Sequence, residues 1–454
     1  MEKNWEFAMK LEYYGIDKKN LRNGINLTAM PVTIRAKHIK AIAGGYVSNM
    51  LEWFNLPDMI GSEILHIEDL ARKCRKMNDF VVLGIGGSAL GIRMLENTFV
   101  DSLNLINKTK VTVCDNIDGD KMVTMLNSLN LKKTIFNVIT KSGSTSETLT
   151  QMLVVIDLFK SKKIDYRKHI IITTTAGNQL WEWAVSEGVE VLSIPKGVGG
   201  RFSVLSAVGL LPAAVMGIDI RKLLAGARIA RDNSTKDDLG NIAYSCAYIN
   251  YQFLKKGCTN LVTMPYSDRL ALLPDFFAQL WAESLGKKFD LDGKTIYAGQ
   301  TPIKTLGVTD QHSQLQLYSE GIKDKLIMFI RVEGLDYDSK VETELPFTKH
   351  LTGTTFQTLM DYEYNSTAYS LTTLDRPNYT ISLDKINEET VGGLIFTLEM
   401  MTAYMGLMLN VDAYDQPGVE LSKTYTKAML GMKIEQDKAK QIKTYMKDKK
   451  NFVL

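Results

Sequence analysis

Apolar residues in the first half of the chain fall into short, β-branched runs, each followed by a polar turn and then by apolar positions at helical spacing. Phe80-Val81-Val82-Leu83 predicts a buried strand, and Gly84 to Gly91 turns from it into a helix through Arg93, Met94 and Leu95. Val111-Thr112-Val113 predicts the next strand. Ile135 to Ile139 predicts another, with a helix from Leu149 to Phe159 behind it. His169 to Thr173 and Val189 to Ile194 read the same way, and Gly199-Gly200-Arg201-Phe202-Ser203 opens an apolar helix from about Val204 to Met216. Charge density rises across residues 218–240, which marks a boundary. A second unit then follows: a strand at Asn260 to Met264, a helix from Pro274 through Glu283, a strand at Leu326 to Arg331 and a long helix from Glu388 to about Leu409. Strands alternating with helices predict an α/β fold of two doubly wound domains with mainly parallel sheets. The expected layout is a helical N-terminal arm over residues 1–45, a first domain over 46–220, a second over 221–430 and a charged C-terminal helix over 431–454. Such sheets bind ligands at the carboxyl ends of their strands.

Composition narrows the class. The 454 residues are 45% hydrophobic and 23% charged, with a formal net charge of +3. That balance, with no basic block apart from the mixed tail, gives no electrostatic case for nucleic acid as a partner. Cys74, Cys114, Cys246 and Cys258 are scattered and lack metal-ligand or CxxC spacing, as expected of reduced thiols and of a chain without a bound metal. The charged start Met1-Glu2-Lys3-Asn4-Trp5 has no apolar segment of signal-peptide type. Each long apolar run is interrupted by Gly, Asp or Lys, so no membrane span is expected. These readings predict a soluble, cytoplasmic globular protein.

Two turns carry candidate chemistry. Thr140-Lys141-Ser142-Gly143-Ser144-Thr145-Ser146-Glu147-Thr148 joins a strand to a helix with six hydroxyls, one lysine and one glycine. Backbone N–H groups at a helix N-terminus with converging hydroxyls suit a phosphate; an ordinary N-cap with Glu147 completing a capping box is the plainer account. Gly84-Ile85-Gly86-Gly87-Ser88 is a second loop of this kind. It is neither a dinucleotide fingerprint, since Ala89 stands where a third glycine belongs, nor a P-loop. Two such loops point to one small phosphate, hence to a phosphorylated metabolite.

Elsewhere, Arg201 follows two glycines that can expose it, and its permanent charge suits an enolate or phosphate oxygen or a structural ion pair. Gln279 and Glu283 share one helix face beside Phe276, Phe277, Leu280 and Trp281. A glutamate desolvated among aromatics has a raised pKa and suits general-base work. His312 in Thr309-Asp310-Gln311-His312-Ser313 has polar neighbours on both sides, a setting that His38, His66, His169 and His350 lack. Lys423 lies about one turn past Glu420 in Tyr414-Asp415-Gln416-Pro417-Gly418-Val419-Glu420-Leu421-Ser422-Lys423, which predicts an ion pair on a helix.

Taken together and in order, GIGGSALG, TKSGSTSETLT, GGRFSVLSAVGLLP, QLWAESLGK, DQHSQLQLYSEG and YDQPGVELSK resemble the glucose-6-phosphate isomerase family over roughly residues 80 to 430. The GGRFS and DQPGVELSK blocks are that family's signatures, and the first two are shared by sugar-phosphate-binding (SIS) domains. Pro417 stands where longer members carry tryptophan, and Thr140 where the family has serine. The resemblance implies two SIS-type domains and a cofactor-independent aldose–ketose isomerase working through ring opening and a cis-enediol(ate). It implies a phosphate site at Gly87, Ser88 and the loop Thr140, Lys141, Ser142, Gly143, Ser144 and Thr145. Glu283 is implied as the base between C2 and C1, Arg201 as the enediolate partner, His312 and Lys423 as the ring-opening pair, and Gln279 and Gln416 as substrate contacts. It further implies a homodimer in which His312 comes from the neighbouring subunit. Alternatives are a broader isomerase that also accepts mannose 6-phosphate and a non-catalytic sugar-phosphate-binding regulator. The regulator would keep the two loops without needing Glu283, His312 and Lys423. A dehydrogenase would need a complete dinucleotide fingerprint.

Overall fold

A computed structural model describes residues 8–44, 50–59, 61–100, 109–432 and 436–453. Strand β1 (Met9–Glu12) comes from the N-terminal arm. It is followed by β2 (Asp79–Leu83), β3 (Lys110–Cys114), β4 (Thr134–Ile139), β5 (Ile170–Thr174) and β6 (Glu190–Ser193). Later in the chain come β7 (Asn260–Tyr266), β8 (Lys287–Phe289), β9 (Thr295–Ala298), β10 (Thr301–Lys304), β11 (Lys325–Val332) and β12 (Asn378–Leu383). One five-stranded sheet runs in the order β3-β2-β4-β5-β6 and is parallel throughout. The other runs β1-β12-β11-β7-β10 and is parallel except for β1 on β12. β8 and β9 pair separately as an antiparallel hairpin.

The apolar strand runs end up here because a parallel sheet is covered on both faces. Every residue of β4 and β5 is buried. The helices Ala207–Met216, Ile220–Ser234, Ile242–Lys255, Leu273–Leu285 and Glu388–Leu409 belong to one core that reaches from Phe80 and Val82 of the first sheet to Leu261, Met328 and Ile330 of the second. Each sheet's other face has its own smaller core, around Phe136 and Phe159 in the first and around Tyr266 and Phe329 in the second.

The long helix Glu388–Leu409 corrects one expectation. It is long and apolar enough to cross a membrane, and its glycines do not end it. They form its contact surface instead. A Cβ on Gly392 would stand 1.9 Å from the Leu223 carbonyl oxygen, and one on Gly226 1.8 Å from that of Glu389. The two backbones therefore touch where these helices cross. Because 89% of its most apolar window is buried inside the protein, the helix is a core element.

Some boundaries and strands also differ from the periodicity. The helix after β4 spans Ser146–Ser161, so it begins at Ser146 rather than Leu149, and the helix expected from Val204 starts at Ala207 after a 3-10 turn at Gly200–Phe202. β12 was hidden by its alternating polar residues, all of them buried. Asn378 donates to the Ala368 and Arg376 carbonyls and to Thr372, and Thr380 pairs with Tyr364. β10 contains Pro302 and takes the sheet edge, where a missing N–H is tolerated. The lysine-rich tail forms the helix Gln436–Asp448, which packs on Glu420–Met429 through contacts such as Tyr425 Oη to Gln441 Oε1 at 3.2 Å.

In the first sheet the chain moves from β2 to β3 on one side and then to β4 on the other. The carboxyl ends of β2 and β4 flank that switch point, and both serine-bearing loops leave from them.

Candidate active site

Beyond β4 the backbone is tied down from beneath. Thr140 is buried, its hydroxyl lies 2.8 Å from that of Thr145, and Thr174 Oγ1 donates to its carbonyl at 2.6 Å. Asn178 donates to the Lys141 carbonyl at 3.3 Å and to Thr174 Oγ1 at 2.7 Å. Gly143 has φ +65°, and a Cβ there would meet Asn178 Oδ1 at 2.7 Å, so this turn requires glycine on both counts. Thr145 is the N-cap of Ser146–Ser161, yet no side-chain capping bond forms. The capping-box account of Glu147 therefore does not describe this terminus, and the first-turn N–H groups are left for an external acceptor. Lys141 is half-buried, and burial pushes its ammonium below the ordinary lysine value, with Arg201 adding to the shift and Glu52 opposing it.

The loop after β2 turns at Gly86–Ser88 and lies on the Gly200–Phe202 turn. A Cβ on Gly87 would stand 2.2 Å from the carbonyl carbon and oxygen of Gly200. The glycine is thus required by contact between two loops, which fixes the first sheet's loop against the one that delivers Arg201.

Arg201 is buried with every N–H engaged. Nε donates to Ser284 Oγ at 2.7 Å, and Nη1 to Glu283 Oε2 at 3.2 Å and Gln416 Oε1 at 2.9 Å. Nη2 donates to the carbonyls of Ala413 and Asp415 at 2.6 and 3.0 Å. These bonds use the five donors of a guanidinium. Desolvation pushes its pKa down while the charge of Glu283 holds it up. Gln279 Nε2 donates to the other Glu283 oxygen at 3.1 Å, across one helical turn. Phe276, Phe277, Leu280 and Trp281 are buried, but the Glu283 carboxylate is not desolvated among them. Its side chain is 30% exposed and lines the cleft, because the helix turns it toward Arg201.

A cleft of about 900 Å³ joins these parts. Its walls include Gly87, Ser88, Lys141, Ser142, Ser144, Thr145, Arg201, Gln279, Glu283, Gln416 and Lys423. Lys423 forms the predicted ion pair, Nζ to Glu420 Oε1 at 2.8 Å, on the helix Glu420–Met429. Three expected residues lie elsewhere. Thr140 sits under its loop, Gly143 packs on Asn178, and His312 is exposed at the end of the turn Thr309–Gln311 that follows β10, off this cleft's walls. The sequence reading missed Thr175, Asn178, Lys196 and Lys427, which also line the cleft. Thr175 and Asn178 follow β5 and Lys196 follows β6, so the rule that ligands gather at strand ends was the signal for them.

Two mainly parallel sheets, with a polar cleft at the strand ends of the first, place the chain in the SIS-type class of α/β folds. A tagatose-6-phosphate ketose/aldose isomerase from Escherichia coli has a related fold, with a TM-score of 0.51 at 12% identity over 83% of this chain and 96% of that one. A glucose-6-phosphate isomerase from Chlamydia trachomatis superposes with a TM-score of 0.80 at 20% identity, covering 97% of this chain and 92% of that one.

Sequence comparison is more specific. Residues 68–447 match the family described as phosphoglucose isomerase. The chain is 42% identical over 429 residues to a glucose-6-phosphate isomerase of Carboxydothermus hydrogenoformans, covering 91% of this chain and 90% of the relative. A glucose-6-phosphate isomerase of Thermus thermophilus is 36% identical over 85% of this chain and 91% of its own length. The chain belongs to the phosphoglucose isomerase family.

Proposed function

We propose that the chain interconverts glucose 6-phosphate and fructose 6-phosphate by opening the sugar ring and moving a proton between C2 and C1 through a cis-enediol(ate), as a step shared by glycolysis and gluconeogenesis. The observation that carries this reading is the placement of the Glu283 carboxylate in the cleft wall, held by Arg201 and Gln279, in the same cleft as an uncapped helix N-terminus with Lys141, Ser142 and Ser144. The loop binds the phosphate through N–H groups, hydroxyls and one ammonium. Ser88 adds a hydroxyl from the neighbouring loop. Glu283 takes the proton α to the carbonyl, and the positive charge of the Arg201 guanidinium, its N–H groups already held by protein acceptors, stabilises the enediolate oxygen that develops beside it. Gln279 and Gln416 orient the chain of carbons. Such chemistry requires a base, an oxyanion partner and an acid for ring opening, all of them protein groups.

For the ring-opening pair we propose Lys423 with His312 of a second copy, because His312 is exposed and lies off its own cleft while Lys423 lies on it. An active unit of two chains follows. Two tests separate these claims. Fructose 6-phosphate incubated with the protein and chelator in deuterated water yields glucose 6-phosphate carrying deuterium at C2; binding without turnover would instead favour the non-catalytic regulator. Mixing His312→Ala protein with Glu283→Gln protein and re-associating the subunits restores turnover above that of either variant, since a mixed dimer holds one intact composite site. No gain on mixing would place His312 outside a shared site.

A further inference from the structure

Lys287 is nine-tenths buried and lies just past the helix that carries Glu283. Its ammonium donates to the Glu283 carbonyl at 2.8 Å and to the Asp415 carbonyl at 2.8 Å, and it stands 3.0 Å from Asp415 Oδ1. The three acceptors match the three donors of an ammonium. One of them is a last-turn carbonyl of the Glu283 helix, which has no partner within the helix. Another, the Asp415 carbonyl, also accepts from Arg201 Nη2. A closed circuit results: Lys287 holds the backbone of Glu283 and of Asp415, Arg201 holds the same Asp415 carbonyl, and Arg201 Nη1 reaches the Glu283 carboxylate and Gln416 Oε1.

We infer that Lys287 is a positioning residue for proton transfer, fixing the backbone from which the Glu283 carboxylate projects against the Ala413–Gln416 turn. A buried cation costs desolvation, and burial does push this ammonium below the ordinary lysine value. Packing alone would be met better by an apolar side chain of the same length. What the ammonium adds is a rigid tie between two strands of the circuit, and small displacements of a catalytic group lower the rate steeply. The inference rests on the reading of Glu283 as the base.

The test compares three proteins. Lys287→Met keeps the volume and removes the tie. Its kcat is expected to fall about 10- to 100-fold, as expected for a small misplacement of the base. KM for fructose 6-phosphate should stay within about threefold, because the phosphate loop is untouched, and the deuterium isotope effect on kcat from C1-labelled fructose 6-phosphate should rise. Lys287→Arg, which keeps a cation, should recover part of kcat. If Lys287→Met does not fold, Lys287→Gln supplies the same comparison with a neutral donor. Unchanged kcat in a folded Lys287→Met or Lys287→Gln protein overturns the inference, as does a loss in which KM and kcat move together and the isotope effect stays put. Glu283→Gln measured alongside separates the two claims. If Glu283→Gln turns over normally the base assignment fails; if it is inactive while Lys287→Met is not, only the positioning role fails.

Discussion

The two walls of the cleft are built on opposite principles. On the first-sheet side, the loop Lys141–Ser146 presents small hydroxyls, an uncapped helix N-terminus and an amine held below its usual pKa by burial. On the other side, Arg201 commits all of its donors to Ser284, Glu283, Gln416 and two backbone carbonyls. One wall is left for a ligand to complete; the other is complete without one. Chemistry that depends on sub-ångström placement gains from a preorganised wall, whereas capture of a phosphate tolerates a wall whose donors turn to meet it.

Glu283→Gln should lower kcat by about 10²- to 10⁴-fold, the usual contribution of a positioned base, with little change in fold or phosphate affinity. Arg201→Ala should lower unfolding free energy by about 1–3 kcal/mol as well as activity, because it leaves the buried Ala413 carbonyl and Ser284 hydroxyl without their partner. Denaturant unfolding checks this, and a stability close to that of the unmodified chain would show that the wall does not depend on its guanidinium. Gly87→Ala forces the two loops apart and should cost about 1–3 kcal/mol, with a rise in KM, since its Cβ meets rigid backbone.

Lys141→Met should act in the opposite sense on stability. The folded-state pKa of Lys141 is depressed, so its charge penalises the fold at neutral pH, and the penalty fades as pH rises from the folded pKa to the ordinary value of 10.5. The variant should therefore melt higher at pH 7, by a margin that closes toward pH 10.5, while binding sugar phosphate more weakly. A lower melting temperature at pH 7 would show that Lys141 stabilises the empty loop. Ser142→Ala removes one hydroxyl among several and should be the smallest effect, raising KM by about tenfold or less, the worth of a single hydrogen bond, with kcat nearly unchanged.

The sequence exposed these walls unequally. The strand-to-helix turns at Gly84–Ser88 and Thr140–Thr148 stood out because apolar runs with β-branched residues bracket them, and the first sheet's strands were placed from the same signal. Glu283 and Gln279 were legible from their spacing and from the family blocks. The circuit around Arg201 was not, since Ala413, Asp415 and Lys287 enter it through backbone carbonyls or from beyond a helix end, and no side-chain pattern records that. β12 escaped because burial of Asn378, Thr380 and Ser382 is made tolerable only by partners distant in sequence. The glycines of Glu388–Leu409 misled in the other direction. They read as breaks in an apolar run, whereas tertiary contact with Ile220–Ser234 uses them as a packing surface.

In the proposed mechanism one wall moves the proton and the other holds the phosphate. The most direct test uses Glu283→Gln alone, following exchange of the C1 and C2 hydrogens of the sugar phosphate with deuterated water while titrating binding of fructose 6-phosphate calorimetrically. Binding within a few-fold of the unmodified chain, together with loss of exchange, is the predicted result. Exchange continuing at close to the original rate would contradict it and move the base to another residue of the cleft.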